Sequence, residues 1–589
     1  MKRSLNLICG LKPLLLAFLL TIVVQNNQSA FCTEPNSGVI AQNPNPQDLP
    51  PDKFNNVPVS PLPSEITPQP SIQEQLLPPP QLPTQPNSGQ DDLQTKFQVD
   101  QIEVVGSTVF TPEQFAAITN SYIKREITFA DLLKVRDAIT KLYTDKGYAT
   151  TGALIAPQIL EAGVVKIQVI EGSLQEIKIT GNRRLRTNYI RDRIQLGAAK
   201  PLNIPRLIES LQLLRLDPRI QNLSAELQSG VTPGTNVLQV EVQEADTFKL
   251  TATLDNGRSP SVGSFRRGID IQEANLLGLG DTLSVGYANT DGSNTINLNY
   301  TLPVYARNGT VFFGFNQGWN SVIEEPFSVL DIQSNTHSYE LGYRQPLLQK
   351  PTQELAMGLS FSRQESQTEL GIDNIGPFRL SPGADANGST RISALRFFQE
   401  YTQRSEQQVF AARSQFSWGL SWFDANISSD QPDSRFFAWR GQTQWVRQLA
   451  PETLFLVRGD LQLANDSLVP LEQFGLGGQL SVRGYRQDVL LTDNGMLLSA
   501  ELRLPIVRAT KLGGVLQLTP FIDVGKGWNN NGKNPSQDTL VGTGLGLLWR
   551  QGDNFSARLD WGIPLTSVEA DKRSLQENGL YFSIRYSPF

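Results

Sequence analysis

Polar and apolar residues alternate in short segments from Phe248 to Phe589, and no other feature constrains the possible folds of this chain as strongly. In one such segment, Ile296, Leu298 and Tyr300 alternate with asparagine and threonine. Side chains of a β-strand point alternately to its two faces, so the pattern predicts strands with one apolar and one polar face. About sixteen segments can be drawn, each close to the roughly 9–11 residues that a tilted strand needs to cross a membrane. The pattern therefore predicts an all-β transmembrane barrel of about 16 antiparallel strands.

A soluble β-sandwich also alternates, and the chemistry of the two faces decides between it and a membrane barrel. One predicted face is apolar and carries aromatic residues toward the strand ends, such as Trp549, Trp561 and Tyr586. The other face is charged, through Arg458, Asp460, Glu501, Arg503, Asp523, Arg558, Asp560 and Arg585. Lipid outside and water inside account for this asymmetry. We therefore favour the barrel and interpret its inward carboxylates as solvated pore lining.

The composition argues against several classes of function. The net charge of −6 over 589 residues argues against a nucleic-acid binder, which normally presents a basic face. His337 is the only histidine, and of the two cysteines Cys9 lies in the predicted leader and Cys32 near its end, so the mature chain keeps at most one thiol and neither a zinc site nor an internal disulfide is expected. The sequence contains no nucleophile elbow, phosphate-binding loop or metal-ligand cluster. We expect no enzymatic activity, no cofactor and no bound metal.

The first 95 residues are predicted to serve export and tethering. Lys2 and Arg3 precede an apolar run, and Ser29 and Ala30 are small, which is typical of a secretory signal peptide over residues 1–30. No long apolar run follows, so any membrane span of the mature chain must be built from strands. Residues 31–95 are rich in Pro, Gln, Asn and Ser and bury too little apolar surface to fold, which predicts a disordered, extended linker.

Two similar units are predicted between this linker and the barrel, at residues 96–172 and 173–245. Each opens with a strand that runs into a glycine, Gly106 or Gly181, and closes with a strand that ends in glutamate. Apolar residues recur at helical spacing between these strands, for example from Leu132 to Leu142. Since a small sheet needs a covering layer, the pattern predicts two α+β modules of the order β-α-α-β-β.

Two short motifs stand out inside the predicted barrel. The first is Phe474–Asp488 (FGLGGQLSVRGYRQD), whose glycines fit a tightly folded loop. The second is Phe521–Gly525 (FIDVG), in a strand whose alternation puts Ile522 on the apolar face and Asp523 on the polar one. Asp523 is therefore predicted to point into the lumen, where an arginine of an infolded loop (466–492) can reach it.

Together these motifs and the order of the domains resemble the two-partner secretion outer-membrane transporters (TpsB type), the haemolysin secretion/activation proteins of the POTRA–barrel superfamily. The resemblance implies a first POTRA domain at 96–172, a second at 173–245 and a barrel at 246–589. It further implies that the loop folds into the barrel and that its arginine pairs with the strand aspartate. The residues in question are Val482, Arg483, Gly484 and Tyr485 of the loop, and Phe521, Asp523 and Gly525 of the strand.

The resemblance also implies a function and a set of partners. A periplasmic, unfolded exoprotein would add as a strand to a sheet edge of the POTRA domains and then thread through the outer-membrane barrel. The edge residues would be Tyr148, Ala149, Thr150, Thr151, Gly152, Ala153, Leu154 and Ile155. No nucleotide site is visible, so folding of the cargo outside would drive export. We expect a monomer that contacts outer-membrane lipid and is inserted by the barrel-assembly machinery. Related transporters often carry a plug helix before the POTRA domains, and the only helical hint there is Ser71–Leu77.

Two other functions remain open at this point. An insertase of the same superfamily, which places other barrels in the membrane, is the main alternative, and the presence of only two POTRA units favours secretion over it. A passive porin would leave the two modules without a role.

Overall fold

Two small α+β units followed by a β-barrel make up the described chain. The computed structural model describes residues 96–160, 162–428, 432–568 and 573–588. The predicted signal peptide, the linker with Ser71–Leu77, and Phe589 lie outside these ranges.

The barrel is closed by sixteen antiparallel strands within the described residues. Each strand pairs with its neighbours in sequence, and the last strand pairs with the first. A two-residue strand, Gly376–Pro377, adds to the end of the seventh. In chain order the sixteen strands are Phe248–Asp255, Arg266–Glu273, Thr282–Asn289, Ser293–Pro303, Thr310–Ser321, Ile332–Lys350, Gln353–Leu370, Ser389–Arg404, Gln408–Leu420, Phe437–Ala450, Thr453–Ala464, Asn494–Ala509, Gly514–Trp528, Thr539–Gln551, Phe555–Pro564 and Leu580–Tyr586. The predicted fold class, two α+β modules before a barrel of about 16 strands, is confirmed.

The two ends of the barrel differ in the length of their connections. The chain enters the first strand from the α+β units, so the short turns that follow the even-numbered strands lie at the same end as those units. We call this the module end. The opposite end, which we call the loop end, carries the longer connections 256–265, 322–331, 371–388, 421–436, 465–493, 529–538 and 565–579.

Side-chain burial alternates along the barrel strands. In Gly514–Trp528, Ile522 is 49% exposed, whereas Thr519 and Asp523 are fully buried. In the same way Trp561 is exposed and its neighbour Asp560 is buried. The exposed apolar face is the surface that a barrel presents to lipid, and the polar face lines its interior.

The first unit packs two helices on a three-stranded sheet. The strand Val164–Ile170 lies at the centre of the sheet, between Gln101–Val105 and Gly152–Leu154. The helices are Pro112–Thr119 and Phe129–Asp145, and the second begins with a capping box made by the Thr128 and Asp131 side chains. Their apolar faces bury the core of the unit.

A small second sheet in the first unit was not predicted. The strand that was expected to run from Val99 into Gly106 is interrupted at Asp100, and Val99 instead ends a separate strand, Lys96–Val99, which pairs with Arg125–Thr128. The break follows from the backbone N–H of Asp100, which donates to the carbonyl of Gly163 at 2.8 Å instead of continuing a ladder.

The second unit has the predicted β-α-α-β-β order. Its sheet places Thr235–Glu244 between Ser173–Thr180 and Ile220–Ser229. Its helices are Thr187–Gln195 and Ile204–Arg215. None of the helices in the described part of the chain is long and apolar enough to cross a membrane.

Arginines attach the second unit to the module end of the barrel. Arg219 Nε donates to the carbonyl of Ala274 at 2.8 Å. Arg193 Nη2 donates to Oδ1 of Asn308 at 2.7 Å. Both acceptors lie in turns between barrel strands, so these bonds fix the position of the unit below the pore.

Tyr189 lies at the centre of this contact. The guanidinium of Arg193 stacks 3.5 Å from the centroid of the tyrosine ring, and the tyrosine hydroxyl donates to Asp217 at 2.6 Å. Burial raises the pKa of Tyr189 above its ordinary value, so the hydroxyl stays protonated and remains a donor. Gly280 of the barrel packs so closely on the ring that a Cβ there would lie 2.3 Å from Cε2.

Replacing Gly280 with alanine is therefore expected to loosen the second unit from the barrel. The new methyl group must displace the Tyr189 ring, and such overpacking costs about 1–3 kcal/mol. We expect limited trypsin digestion of membranes to cleave between the unit and the barrel severalfold faster in this variant. Gly513→Ala is the matched control, because Gly513 has a similar positive φ in another module-end turn but no atom within 4 Å of the added carbon. Equal cleavage of the two variants would contradict the prediction.

Candidate functional site: the infolded loop and its charge network

The connection 465–493 folds back into the barrel instead of extending from it. It begins with the turn Pro470–Glu472 and continues as a short hairpin of Phe474–Leu476 with Leu490–Thr492. The residues between these strands form the loop tip, and the side chains of Val482 and Arg483 at the tip are 0% and 1% exposed. Their burial comes from contacts with the inner wall of the barrel. The loop thus occupies the lumen.

Close backbone contact between tip and wall requires glycine on both sides. Gly484 has a φ of +105°, and a Cβ on it would lie 2.9 Å from the backbone nitrogen of Pro564. On the wall, a Cβ on Gly542 would overlap the carbonyl oxygen of Arg483. A Cβ on Gly562 would lie 2.4 Å from the backbone nitrogen of Gly484. The loop therefore touches the wall through its main chain as well as its side chains.

Arg483 is held by two carboxylates and an aromatic ring. Its Nε and Nη2 donate to Oδ2 and Oδ1 of Asp523 at 2.7 and 2.9 Å, a bidentate pair, and its backbone N–H also donates to Oδ2 at 3.1 Å. Its Nη1 donates to Oε2 of Glu501 at 2.7 Å. The guanidinium carbon lies 3.5 Å from the centroid of the Phe521 ring. Each of the three guanidinium nitrogens therefore donates to a carboxylate.

Glu501 connects this pair to the rest of the wall. Besides Arg483, it accepts hydrogen bonds from Arg503 Nε at 2.9 Å and from Arg558 Nη2 at 2.6 Å. Arg558 in turn donates from Nε to Asp560 at 2.7 Å. In the described residues no three His, Cys, Asp or Glu side chains are grouped so that they could hold a metal ion. The carboxylates of this network are instead paired with arginines.

The interpretation of the inward carboxylates as solvated pore lining is wrong for three of them. Glu501 is 6% exposed, and Asp523 and Asp560 are fully buried. The infolded loop supplies Arg483 as a partner to Asp523 and Glu501, and its Gln479 donates from Nε2 to Asp560 at 3.4 Å. Because a buried carboxylate without a partner is costly, this arrangement ties the position of the loop to the electrostatics of the wall.

Tyrosines fasten the tip on both sides of Arg483. The hydroxyl of Tyr581 accepts from the backbone N–H of Gly484 at 2.9 Å and donates to the carbonyl of Tyr485 at 2.5 Å. The Tyr485 hydroxyl accepts from the backbone N–H of Thr566 at 3.1 Å and lies 2.8 Å from the carbonyl of Val541. Two further contacts complete the attachment: the Val482 side chain packs against the Gly525 backbone, and the Phe521 ring lies under the guanidinium.

The root of the loop is anchored on a different part of the wall. Glu472 accepts from Nη2 and Nη1 of Arg396 at 2.6 and 3.2 Å. Arg396 lies on the eighth strand and Asp523 on the thirteenth, so the loop spans much of the lumen between its root and its tip.

Several residues of this site were not predicted to belong to it. Glu501 and Arg558 were predicted to face the lumen from their strand phase, but not to pair with the loop. Glu472, Tyr581 and Arg396 had no signal in the sequence, since an isolated residue in a loop or a strand gives no information about its partner.

The predicted capture edge, Tyr148–Ile155, lies in the first unit and is separate from the lumen network. Gly152–Leu154 forms an edge strand of three residues. The backbone N–H of Ala153 donates to the hydroxyl of Thr140 at 3.1 Å, and Thr151 is fully buried with its hydroxyl accepting from Gly172. Only part of the segment is therefore free to pair with another chain.

Comparison with known protein families identifies the first unit and most of the barrel. Residues 234–548 match the family described as haemolysin secretion/activation protein ShlB/FhaC/HecB. Residues 97–172 match the ShlB-type POTRA domain.

Full-length relatives and solved structures agree with this assignment. The heme/hemopexin transporter protein HuxB of Haemophilus influenzae is 22% identical over 503 residues, which cover 82% of this chain and 86% of HuxB. The outer membrane transporter CdiB of Escherichia coli is 24% identical over 481 residues, or 80% of this chain and 79% of CdiB.

The solved structure of CdiB from Escherichia coli superposes with a TM-score of 0.63 at 21% identity, covering 85% of this chain and 92% of that one. CdiB from Acinetobacter baumannii gives 0.58 at 19% identity, covering 86% and 94%. These structures share the fold. Since the family match extends over more than half of the chain, the protein belongs to the haemolysin secretion/activation family ShlB/FhaC/HecB, outer-membrane transporters of two-partner secretion, and carries a periplasmic POTRA domain of the ShlB type.

Proposed function

We propose that the infolded loop closes the secretion pore at rest and shifts within the lumen when an unfolded exoprotein threads through. The observation that carries this proposal is the burial of Arg483 between Asp523 and Glu501. Its Nε lies 2.7 Å from Oδ2 of Asp523, and its Nη1 lies 2.7 Å from Oε2 of Glu501. A chain cannot pass a lumen in which the loop is fastened to the wall, so transport requires these bonds to break and re-form. Charge-assisted bonds that exchange one partner for another suit such a movement better than an apolar plug.

We further propose that the exoprotein is captured as an added strand at open sheet edges of the two periplasmic units. In the first unit the edge is the predicted segment Tyr148–Ile155, which offers the short strand Gly152–Leu154. In the second unit Ile220–Ser229 is an edge strand of ten residues. Main-chain bonding at an edge accepts many sequences, which suits an unfolded client. Folding of the exoprotein outside the cell would make its passage irreversible.

Site-specific photo-crosslinking during export tests the capture step. A photoreactive residue at Ala153 or at Glu226, one on each edge, is expected to form an adduct with the exoprotein. Lys141 is the control position, because it is exposed on the helical side of the first unit. Cross-links at Lys141 equal to those at the edges, or none at either edge, would refute strand addition.

Depletion of the protein separates secretion from the insertase alternative. A secretion pore serves one or a few exoproteins, so we expect their export to stop while other outer-membrane barrels keep their normal amounts. The measurement is quantitative proteomics of outer membranes and culture medium after depletion. A general fall in barrel proteins before any loss of growth would favour the insertase.

A further inference from the structure

Arg486, three residues beyond Arg483, makes a second set of ion pairs that the lumen network does not include. Its side chain is buried, and its Nη1 donates to Oε1 of Glu324 and to Oε1 of Glu577, at 2.9 Å in each case. Its Nη2 donates to the other oxygen of Glu324 at 2.9 Å. One cation of the infolded loop thus lies between two carboxylates.

The two carboxylates belong to different connections at the loop end. Glu324 lies in 322–331 and Glu577 in 565–579. The same two connections are also joined by Arg573, which donates from Nη1 to the carbonyl of Glu325 at 3.3 Å.

A third loop-end connection joins the cluster through Gln576. Its side-chain oxygen accepts from the backbone N–H of Gln487 at 2.8 Å. Its Nε2 donates to the carbonyls of Asn256 and Arg258, the latter at 2.6 Å. Residues 256–265 follow the first barrel strand, so the connections 256–265, 322–331 and 565–579 are joined to one another around the infolded loop.

These contacts lie at the seam where the barrel closes. The first and last strands share four residue pairs, whereas the first and second share eight. Beyond the ladder, the side chain of Asn256 bonds to the last strand. It accepts from the N–H of Phe582 at 2.7 Å and donates to the carbonyl of Leu580 at 2.9 Å. One backbone bond, from the N–H of Asn256 to the carbonyl of Phe582 at 3.3 Å, extends beyond the ladder, and side chains supply the other contacts that keep the loop end of the seam closed.

We propose that Arg486 is a positioning residue that holds the loop end of the pore shut, as a second anchor independent of the Arg483 pair; this rests on the proposed role of the infolded loop as the closure of the pore. Arg483 fastens the tip to the wall, and Arg486 fastens the return limb to the connections above it. Glu324 and Glu577 both accept from Nη1 of Arg486 at 2.9 Å, so loss of Arg486 leaves two neighbouring carboxylates without their shared cation, and their like charges repel. The connections then separate and the pore leaks.

Conductance of the purified full-length protein in planar lipid bilayers tests this proposal without any exoprotein. In Arg486→Gln we expect the fraction of time spent in open states to rise about tenfold or more. Glu324→Gln is a milder variant that leaves Glu577 in place, and it should give a smaller rise. Arg435→Gln is the matched control, since Arg435 lies on another loop-end connection, is 56% exposed and pairs with Asp433 of its own connection. We expect it to behave as wild type.

Two outcomes would overturn the second anchor. One is a heat-modifiable, folded Arg486→Gln protein with wild-type conductance. The other is an equal rise in Arg435→Gln. Because the readout requires no cargo, failure of the threading proposal, seen as normal export by Arg483 variants, is distinguishable from failure of this one.

Discussion

Replacing Arg483 with alanine should lower export of the exoprotein by at least about tenfold while the amount of folded, heat-modifiable barrel stays near that of the wild type. The substitution leaves Asp523 buried without its guanidinium, and breaking a buried pair in this way costs about 3–5 kcal/mol. That cost falls on the position of the loop, because Arg483 makes no contact with lipid and belongs to no barrel strand. Glu501 keeps Arg503 and Arg558, so the wall itself remains paired. The measurements are exoprotein in the medium and gel mobility with and without boiling.

Companion variants separate charge from shape at the same site. Arg483→Lys keeps the charge but cannot form the bidentate pair, so it should restore only part of the export. Asp523→Ala should be milder than Arg483→Ala, since Glu501 still holds the arginine. Exchanging the two charges, in Arg483→Asp with Asp523→Arg, should recover part of the export lost by each single change. The recovery is limited by repulsion between Glu501 and the carboxylate placed at position 483.

Arg508→Ala is the control variant. It breaks an exposed pair with Glu452 at the module end and should export normally. Normal export by Arg483→Ala would mean that the loop is an ordinary turn.

Replacing Glu501 with alanine should reduce the amount of folded barrel itself, the largest effect on stability that we expect at this site. Glu501 is the carboxylate shared by Arg483, Arg503 and Arg558, and its loss leaves three neighbouring guanidiniums, two of them buried, without their common counter-charge. Arg558 lies three strands away from Glu501 along the wall, so their bond braces the curved inner surface of the barrel. We expect a loss on the order of 3–5 kcal/mol, the range for breaking a buried pair. Folded fraction from heat-modifiability and the unfolding temperature in detergent are the measurements.

The isosteric variant and an exposed control sharpen this prediction. Glu501→Gln keeps the size and one good acceptor, so its barrel should fold better than that of Glu501→Ala yet remain weaker than the wild type. Glu452→Ala removes a carboxylate from an exposed pair and should change the unfolding temperature little. If Glu501→Ala folded as well as Glu452→Ala, the network would contribute nothing to the barrel.

Much of the architecture was predictable because its causes are local. Each membrane strand must turn an apolar face to lipid and a polar face to the interior, so every strand carries the period-two pattern within its own ten or so residues. The helices of the α+β units can be recognised in the sequence from capping residues such as Thr128 and from the helical spacing of their apolar residues. The short pair of Lys96–Val99 with Arg125–Thr128 was missed, since segments of four residues are too short for a pattern to emerge.

Only the tertiary structure decided which charged side chains pair and how deeply each pair is buried from water. Glu501 and Arg558 are 57 residues apart, and Arg486 and Glu324 are 162 apart, so they come together only when the barrel closes and the loop folds in. Alternation places a carboxylate in the lumen, but it carries no information about whether water or an arginine lies beside it. Packing of the infolded loop buries carboxylates that were predicted to be solvated pore lining and makes them part of an ion-pair network. It also places Arg486 between the connections 322–331 and 565–579, whose sequences have no periodic pattern. The sequence by itself therefore determined a membrane barrel with two periplasmic units, whereas the fastening of its pore emerged only from contacts between residues distant in the chain.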